Sequence, residues 1–202
     1  MSYVGDFNNL SDKDLVKLSI KDANNFYFLM KKYEDKLIRY ILRISNIEKE
    51  SAEDILQEVF IKVYENLNDF DDTFSFSSWI YRITHNMTIS HIRKIQVRPK
   101  TLNIEDNESI NFLNIFESEI KLDKEFSQKE LSIRVKEIIK MLPEKYRDIM
   151  ILRYLEEKDY QEISDILEKS IGTVSILISR AKKQFKELAI KNNLSTYFQD
   201  HE

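Results

Sequence analysis

Only two glycines, Gly5 and Gly172, occur in 202 residues. Tight hairpins and phosphate-cradling loops need backbone that tolerates positive φ, and glycine is the residue that supplies it. A chain this poor in glycine is badly suited to a strand-and-turn fold and has no glycine-rich phosphate loop. Lys, Glu, Leu and Ile recur at helical spacing instead, so the expected fold class is all-α. The length suits one large or two small domains. Cysteine is absent, which removes disulfides, zinc–thiolate sites and thiol chemistry. Charged residues are spread so densely that no apolar run approaches membrane-spanning length. The opening MSYVGDFNNLSDKD lacks the basic start and apolar core of a signal peptide, so a cytoplasmic protein is expected.

The densest pattern lies between Leu142 and Leu188. Pro143 suits a helix start, because its missing N–H costs nothing there and its φ is already helical. A helix is expected over Glu144 to Tyr154. The charged run Glu156-Glu157-Lys158-Asp159 then breaks the apolar pattern. Asp159 is placed to cap a short helix, Tyr160 to Leu167, with Tyr160, Ile163 and Leu167 inward. After a tight connection, Ser170 is placed to cap a longer helix reaching about Asn192. Short helix, turn, longer helix is the helix-turn-helix pattern. At 100° per residue, Val174, Ile178, Ala181, Phe185 and Leu188 fall on one side of the long helix. Ser175, Ile176, Ser179, Lys183 and Lys186 fall opposite, flanked by Arg180 and Lys182. From Ile171 to Lys191 there are five bases and one acid, against six acids and three bases from Arg153 to Ser170. Base is thus concentrated on one helix, as a major-groove reader needs. A surface helix with a lysine-rich outer face fits these residues too.

Ahead of this unit, Ser11 with Asp14 suggests a capped helix to about Lys21. A second helix is expected from about Asn24 to Ser45. Ser51 with Asp54 suggests a third, Ala52 to Asn68, with Leu56, Phe60, Val63 and Leu67 inward. Asp54, Gln57, Glu58 and Ile61 lie on its opposite side, where such a patch is often merely solvated. The stretch Asp69 to Ser78 is expected to be an aromatic-bearing loop. Trp79 to Lys100 then carries five bases and no acid. It should be helical to about Gln96, since Pro99 biases Arg98 away from helix. Its apolar residues split into two sets: Ile80, Ile83 and Met87, and Tyr81, Ile89 and Ile92. A basic helix beside an aromatic loop suits unpaired bases, which stack on rings while cations hold phosphates. A core helix with a basic tail is the competing reading. Residues 101–130 hold eight acids and three bases without sustained period, an acidic linker turning helical after about Asp123.

Together, DILQE at Asp54–Glu58, FSSWIYRITHN at Phe76–Asn86, and the run from Leu142 to Lys183 resemble bacterial sigma factors of the extracytoplasmic-function group in the sigma-70 family. Three motifs in order make the likeness specific. It implies a region-2-like domain over 1–98, an acidic linker over 99–128, a region-4-like helix-turn-helix domain over 129–194 and a tail over 195–202. It implies a promoter-recognition subunit of RNA polymerase, with no catalytic residues of its own and no cofactor or metal. Asp54, Gln57, Glu58 and Ile61 would bind the clamp of the polymerase's largest subunit. Phe70, Phe76, Ser77, Trp79, Arg82 and Asn86 would read the unpaired −10 element, with Arg93, Lys94 and Arg98 on phosphate. Thr173, Ser175, Ile176, Ser179, Arg180 and Lys183 would read the −35 element. The expected partners are core RNA polymerase through clamp and flap, promoter DNA and an anti-sigma factor, without membrane insertion. The linker would thread toward the RNA exit path and mimic nucleic-acid charge.

The sequence departs from the family in places. Ser175-Ile176-Leu177 stands where a Lys-Ser-Arg run is frequent. Glu157 stands where a glycine is common before the unit's first helix. Ser90 replaces a common Asp four residues after Asn86. Two other classes remain open at this level: a free-standing helix-turn-helix regulator and a helical adaptor. An enzyme is the least expected, because His85, His91 and His201 form no ligand pair of recognised spacing.

Overall fold

The computed structural model describes residues 10–45, 47–97 and 126–192. All regular structure among them is helical. The chain divides into two compact units, one on the described residues 10–97 and the other mainly on residues 126–192.

The first unit holds four α-helices. Helix α1, Asp12–Lys21, is capped by Ser11, whose Oγ accepts from the Asp14 N–H at 3.2 Å and donates to the Asp14 carboxylate at 2.6 Å. Helix α2 is Phe26–Ser45, preceded by a 3₁₀ turn at Ala23–Asn25, so it opens two residues later than expected. Asp22 explains the delay: its carboxylate accepts from the Asn24 N–H and holds the tighter turn. Asp12 ties α1 to α2, accepting from the Tyr33 hydroxyl at 2.6 Å and pairing with Lys32 at 2.8 Å. Helix α3 is Lys49–Glu65, so the Ser51–Asp54 capping signal lies inside it and makes no cap. Its N-cap is Glu48, without a side-chain hydrogen bond; packing of Ala52 and Ile55 carries the helix through the signal. It ends at Glu65 rather than Asn68, and Leu67–Asp69 continues as a 3₁₀ turn.

Helix α4, Phe76–Val97, starts three residues before Trp79 and confines the loop to residues 70–75. Ser75 is the cause: its Oγ accepts from the Ser78 N–H at 3.0 Å, as an N-cap does. Thr84 and Thr88 fill the seam between the two apolar sets on α4, buried with Ile80, Tyr81 and Ile89, while Ile83, Met87 and Ile92 stay half-buried. The threonine hydroxyls donate to the carbonyls of Ile80 and Thr84, both at 2.8 Å, which satisfies them without water. Leu37, Ile41, Ile55, Val59 and Ile80 are fully enclosed in this unit's core. Each such burial contributes on the order of 1.5–3 kcal/mol.

The second unit holds α5 (Phe126–Met141), α6 (Glu144–Tyr154), α7 (Tyr160–Leu167) and α8 (Ile171–Lys191). Helix α5 begins at Phe126, close to where the acidic stretch was expected to turn helical. Helix α6 is enclosed nearly all round: Tyr146, Ile149, Met150, Ile151 and Leu152 are buried. Pro143 is its N-cap. Asp159 caps α7 in a full capping box, taking the Glu162 N–H at 2.7 Å while the Glu162 carboxylate takes the Asp159 N–H at 3.0 Å. The inner pair of α7 is Ile163 and Ile166; Tyr160 is exposed and Leu167 only half-buried, correcting the expected face. Tyr160 instead lies under the Arg153 guanidinium, 5.5 Å from its ring centre. Glu168, at φ 52°, turns the chain into Ser170, which caps α8 by accepting from the Thr173 N–H.

Candidate nucleic-acid interface

Helix α3 separates its two faces cleanly. Ala52, Ile55, Leu56, Val59, Phe60 and Val63 are buried, and Asp54, Gln57, Glu58 and Ile61 are all exposed on the other side. Ile61 is 59% exposed, an apolar residue among acids rather than a solvated charge face. A groove of about 560 Å³ between α2 and α3 reaches Gln57 and is walled by Met30, Glu34, Leu56 and Phe60. The sequence pattern does not foresee this groove, which forms only where α2 and α3 pack together.

On α4, Trp79, Arg82, Asn86 and Arg93 share a face at helical spacing, opposite Tyr81, Thr84 and Thr88. The face spans about 21 Å from Trp79 to Arg93. Asn86, Arg93 and Lys94 are exposed; Ser77, Trp79 and Arg82 are half-buried. Arg98 lies outside the described residues. Phe76 does not join this surface. It is 2% exposed and packs edge-on against Phe70 at 5.5 Å and Tyr33 at 5.6 Å. Its position in the first turn, after the Ser75 cap, points it into the core. Phe70 and Trp79 do meet, 5.1 Å apart, so Phe76 supports the outer aromatic pair from beneath. Ser75, whose cap opens the helix that carries Phe76 and Trp79, was not singled out from sequence; a Ser directly ahead of Phe76, Trp79 and Ile80 was the available signal. His85 is engaged with the buried Tyr40 hydroxyl at 3.0 Å. No cluster of metal-ligating side chains occurs among the described residues.

On α8, Val174, Ile178, Ala181 and Ala189 face inward, and Ile138 of α5 packs with Ala189, Phe185 and Leu188. Thr173, Ser175, Ile176, Ser179, Arg180 and Lys183 are all exposed, as the sequence pattern required. Lys182 leans back over the Tyr154 ring at 5.8 Å, so it covers α6 rather than standing free on the outer face. The unit therefore presents an uninterrupted outward row with cations in its second half. The first unit presents an aromatic and basic face on α4 and, on α3, an acidic face on which Ile61 and Tyr64 are also exposed.

The chain matches two family models: Sigma-70 region 2 over residues 29–98 and Sigma-70, region 4, over residues 132–185. The first covers α3 and α4, the second α6, α7 and α8 as far as residue 185. Among curated relatives, it is 33% identical over 172 residues to the ECF RNA polymerase sigma factor SigW of Bacillus subtilis, covering 82% of this chain and 89% of that protein. It is 32% identical over 182 residues to the ECF RNA polymerase sigma-E factor of Escherichia coli K12, covering 86% and 92%. Among solved structures, CnrH in complex with the cytosolic domain of CnrY aligns with TM-score 0.63 at 18% identity, covering 89% of this chain and 97% of CnrH. RpoE of Bartonella quintana, solved with the anti-sigma factor NepR, aligns with TM-score 0.57 at 20% identity, covering 81% and 96%. These structures share its fold.

Proposed function

The chain belongs to the sigma-70 family as an extracytoplasmic-function member, and from that we infer that it directs core RNA polymerase to promoters by recognising −10 and −35 elements. The observation that carries this reading is the pairing, on one chain, of both family regions with their matching outward faces.

The reading assigns each face a task. Asp54, Gln57, Glu58 and Ile61 bind the polymerase clamp, with Ile61 supplying the desolvated contact and the acids its orientation. Phe70, Trp79, Arg82 and Asn86 take the unpaired −10 bases, ring on base, while Arg93 and Lys94 hold phosphate. Phe76 acts beneath them as a support. Thr173, Ser175, Ile176, Ser179, Arg180 and Lys183 enter the major groove at −35. Catalysis remains with core polymerase. The associated domains are 1–98 and, because α5 opens at Phe126, about 126–194. The polymerase flap is a further contact for the second domain. An anti-sigma partner is supported by the relative from Bartonella quintana, which is held by one.

The test is initiation and core binding by a charge-reversed Asp54→Lys, Glu58→Lys variant. Both residues are exposed on α3, so folding stability should stay within about 0.5 kcal/mol of the parent. Core affinity and promoter-dependent initiation should fall by more than about tenfold. A variant that binds core as the parent does would remove this patch from the account.

A further inference from the structure

The outward row of α8 is not uniform. One turn before Ile176 stand Gly172 and Thr173, beside it Ser175, and one turn after it Ser179 and Arg180. All are exposed. A Cβ built at Gly172 would meet nothing within 4 Å, so the space beside Ile176 is open. Ile176 itself is 53% exposed. Its branched end therefore stands above a low surface of small residues, with the first cation of the row one turn further on. It is not stray core, because Val174, Ile178 and Ala181 take the buried side of the helix.

An isoleucine neither donates nor accepts hydrogen bonds. In the major groove, guanine, cytosine and adenine present mainly donors and acceptors, whereas thymine also presents a methyl group. A polar edge placed against Ile176 would lose water without gaining a partner. The thymine methyl loses nothing and removes two apolar groups from water together. Ser175 and Ser179 accept either donor or acceptor edges, so they do not impose a competing base at this point.

Resting on the assignment of α8 to the −35 element, we propose that Ile176 is a specificity determinant that packs on the C5-methyl of one thymine. The −35 element used by this protein then contains a T·A pair read by its methyl group rather than by hydrogen bonds.

The test uses holoenzyme on a promoter selected with it. Each thymine of the −35 region, on either strand, is replaced singly by deoxyuridine, which removes the methyl group and leaves every hydrogen-bonding edge in place. At one position the parent should lose about fourfold in initiation at limiting holoenzyme, the effect of one buried methyl. Ile176→Ala should be weakened similarly on the thymine template and should no longer distinguish thymine from deoxyuridine. Indifference of the parent to every replacement, or full discrimination retained by Ile176→Ala, would overturn the proposal. Arg180→Ala separates the two levels. If it weakens initiation while methyl removal does not, α8 still reads the element and only the thymine contact is wrong. If Arg180→Ala also has no effect, the −35 assignment falls, and this proposal with it.

Discussion

Among the described residues, Asp148 is the one buried carboxylate of the helix-turn-helix unit. It lies on α6, is 6% exposed, and its Oδ1 has no hydrogen-bond partner among the described residues. Burial pushes its pKa up from 3.8 to about 7; the Arg147 guanidinium pulls it down, and the Glu144 carboxylate adds a smaller upward push. The folded unit therefore holds this proton more tightly than the unfolded chain does. Below the unfolded value both states are protonated and the group is neutral to folding. Between that value and about 7 the unfolded state releases a proton that the folded state keeps, so stability falls as pH rises. Above about 7 the loss is complete. Asp148→Asn removes the charge and should flatten this dependence. Urea unfolding followed by circular dichroism should show the variant gaining stability, on the order of 4 kcal/mol at about pH 8 and little at about pH 4. An unchanged pH slope would mean that Asp148 is solvated in the native state.

At the scale of elements, the turn between α6 and α7 holds stored strain. Glu157 sits at φ 54°, left-handed backbone that side chains with a Cβ resist, and the turn brings the Lys158 N–H to the Leu152 carbonyl at 2.9 Å. A glycine at this position would carry no such cost, a reason that the sequence alone did not reveal. Glu157→Gly should stabilise the unit by about 1 kcal/mol, read as a raised urea midpoint with unchanged slope; a destabilised variant would show that the Glu157 side chain holds the turn. Helix-turn-helix elements were legible to the residue, because Asp159 and Ser170 are caps with nothing competing. The stripes on α3 and α8 were legible too, since one face of each meets the core. Three features were not. Ser51 mimics a cap inside α3, but tertiary packing extends the helix back to Lys49. Phe76 looks like an exposed loop aromatic until the Ser75 cap makes it helical and turns it inward. The buried seam of α4 was hidden because threonines fill it, and their satisfaction by carbonyls four residues back is invisible to a hydropathy pattern.

For the molecule as a whole, the charge distribution decides how a chain of net charge −4 acts on DNA. Bases sit on the outer faces of α4 and α8, and acids on α3 and through residues 101–130. Under the proposed assignment of α4 and α8 to DNA, neither helix needs to bind tightly alone. Tethering both to polymerase raises their local concentration, so that weak contacts at two elements add to one selective event. The measurement that tests this most directly is transcription from a genomic fragment library by sigma-free core polymerase, with and without the purified chain, sequencing every transcript start. The account predicts new starts that share two upstream elements at constant spacing and depend on both the chain and core. Folded chain with active core that yields no new starts, or starts lacking a common pair of elements, would contradict it.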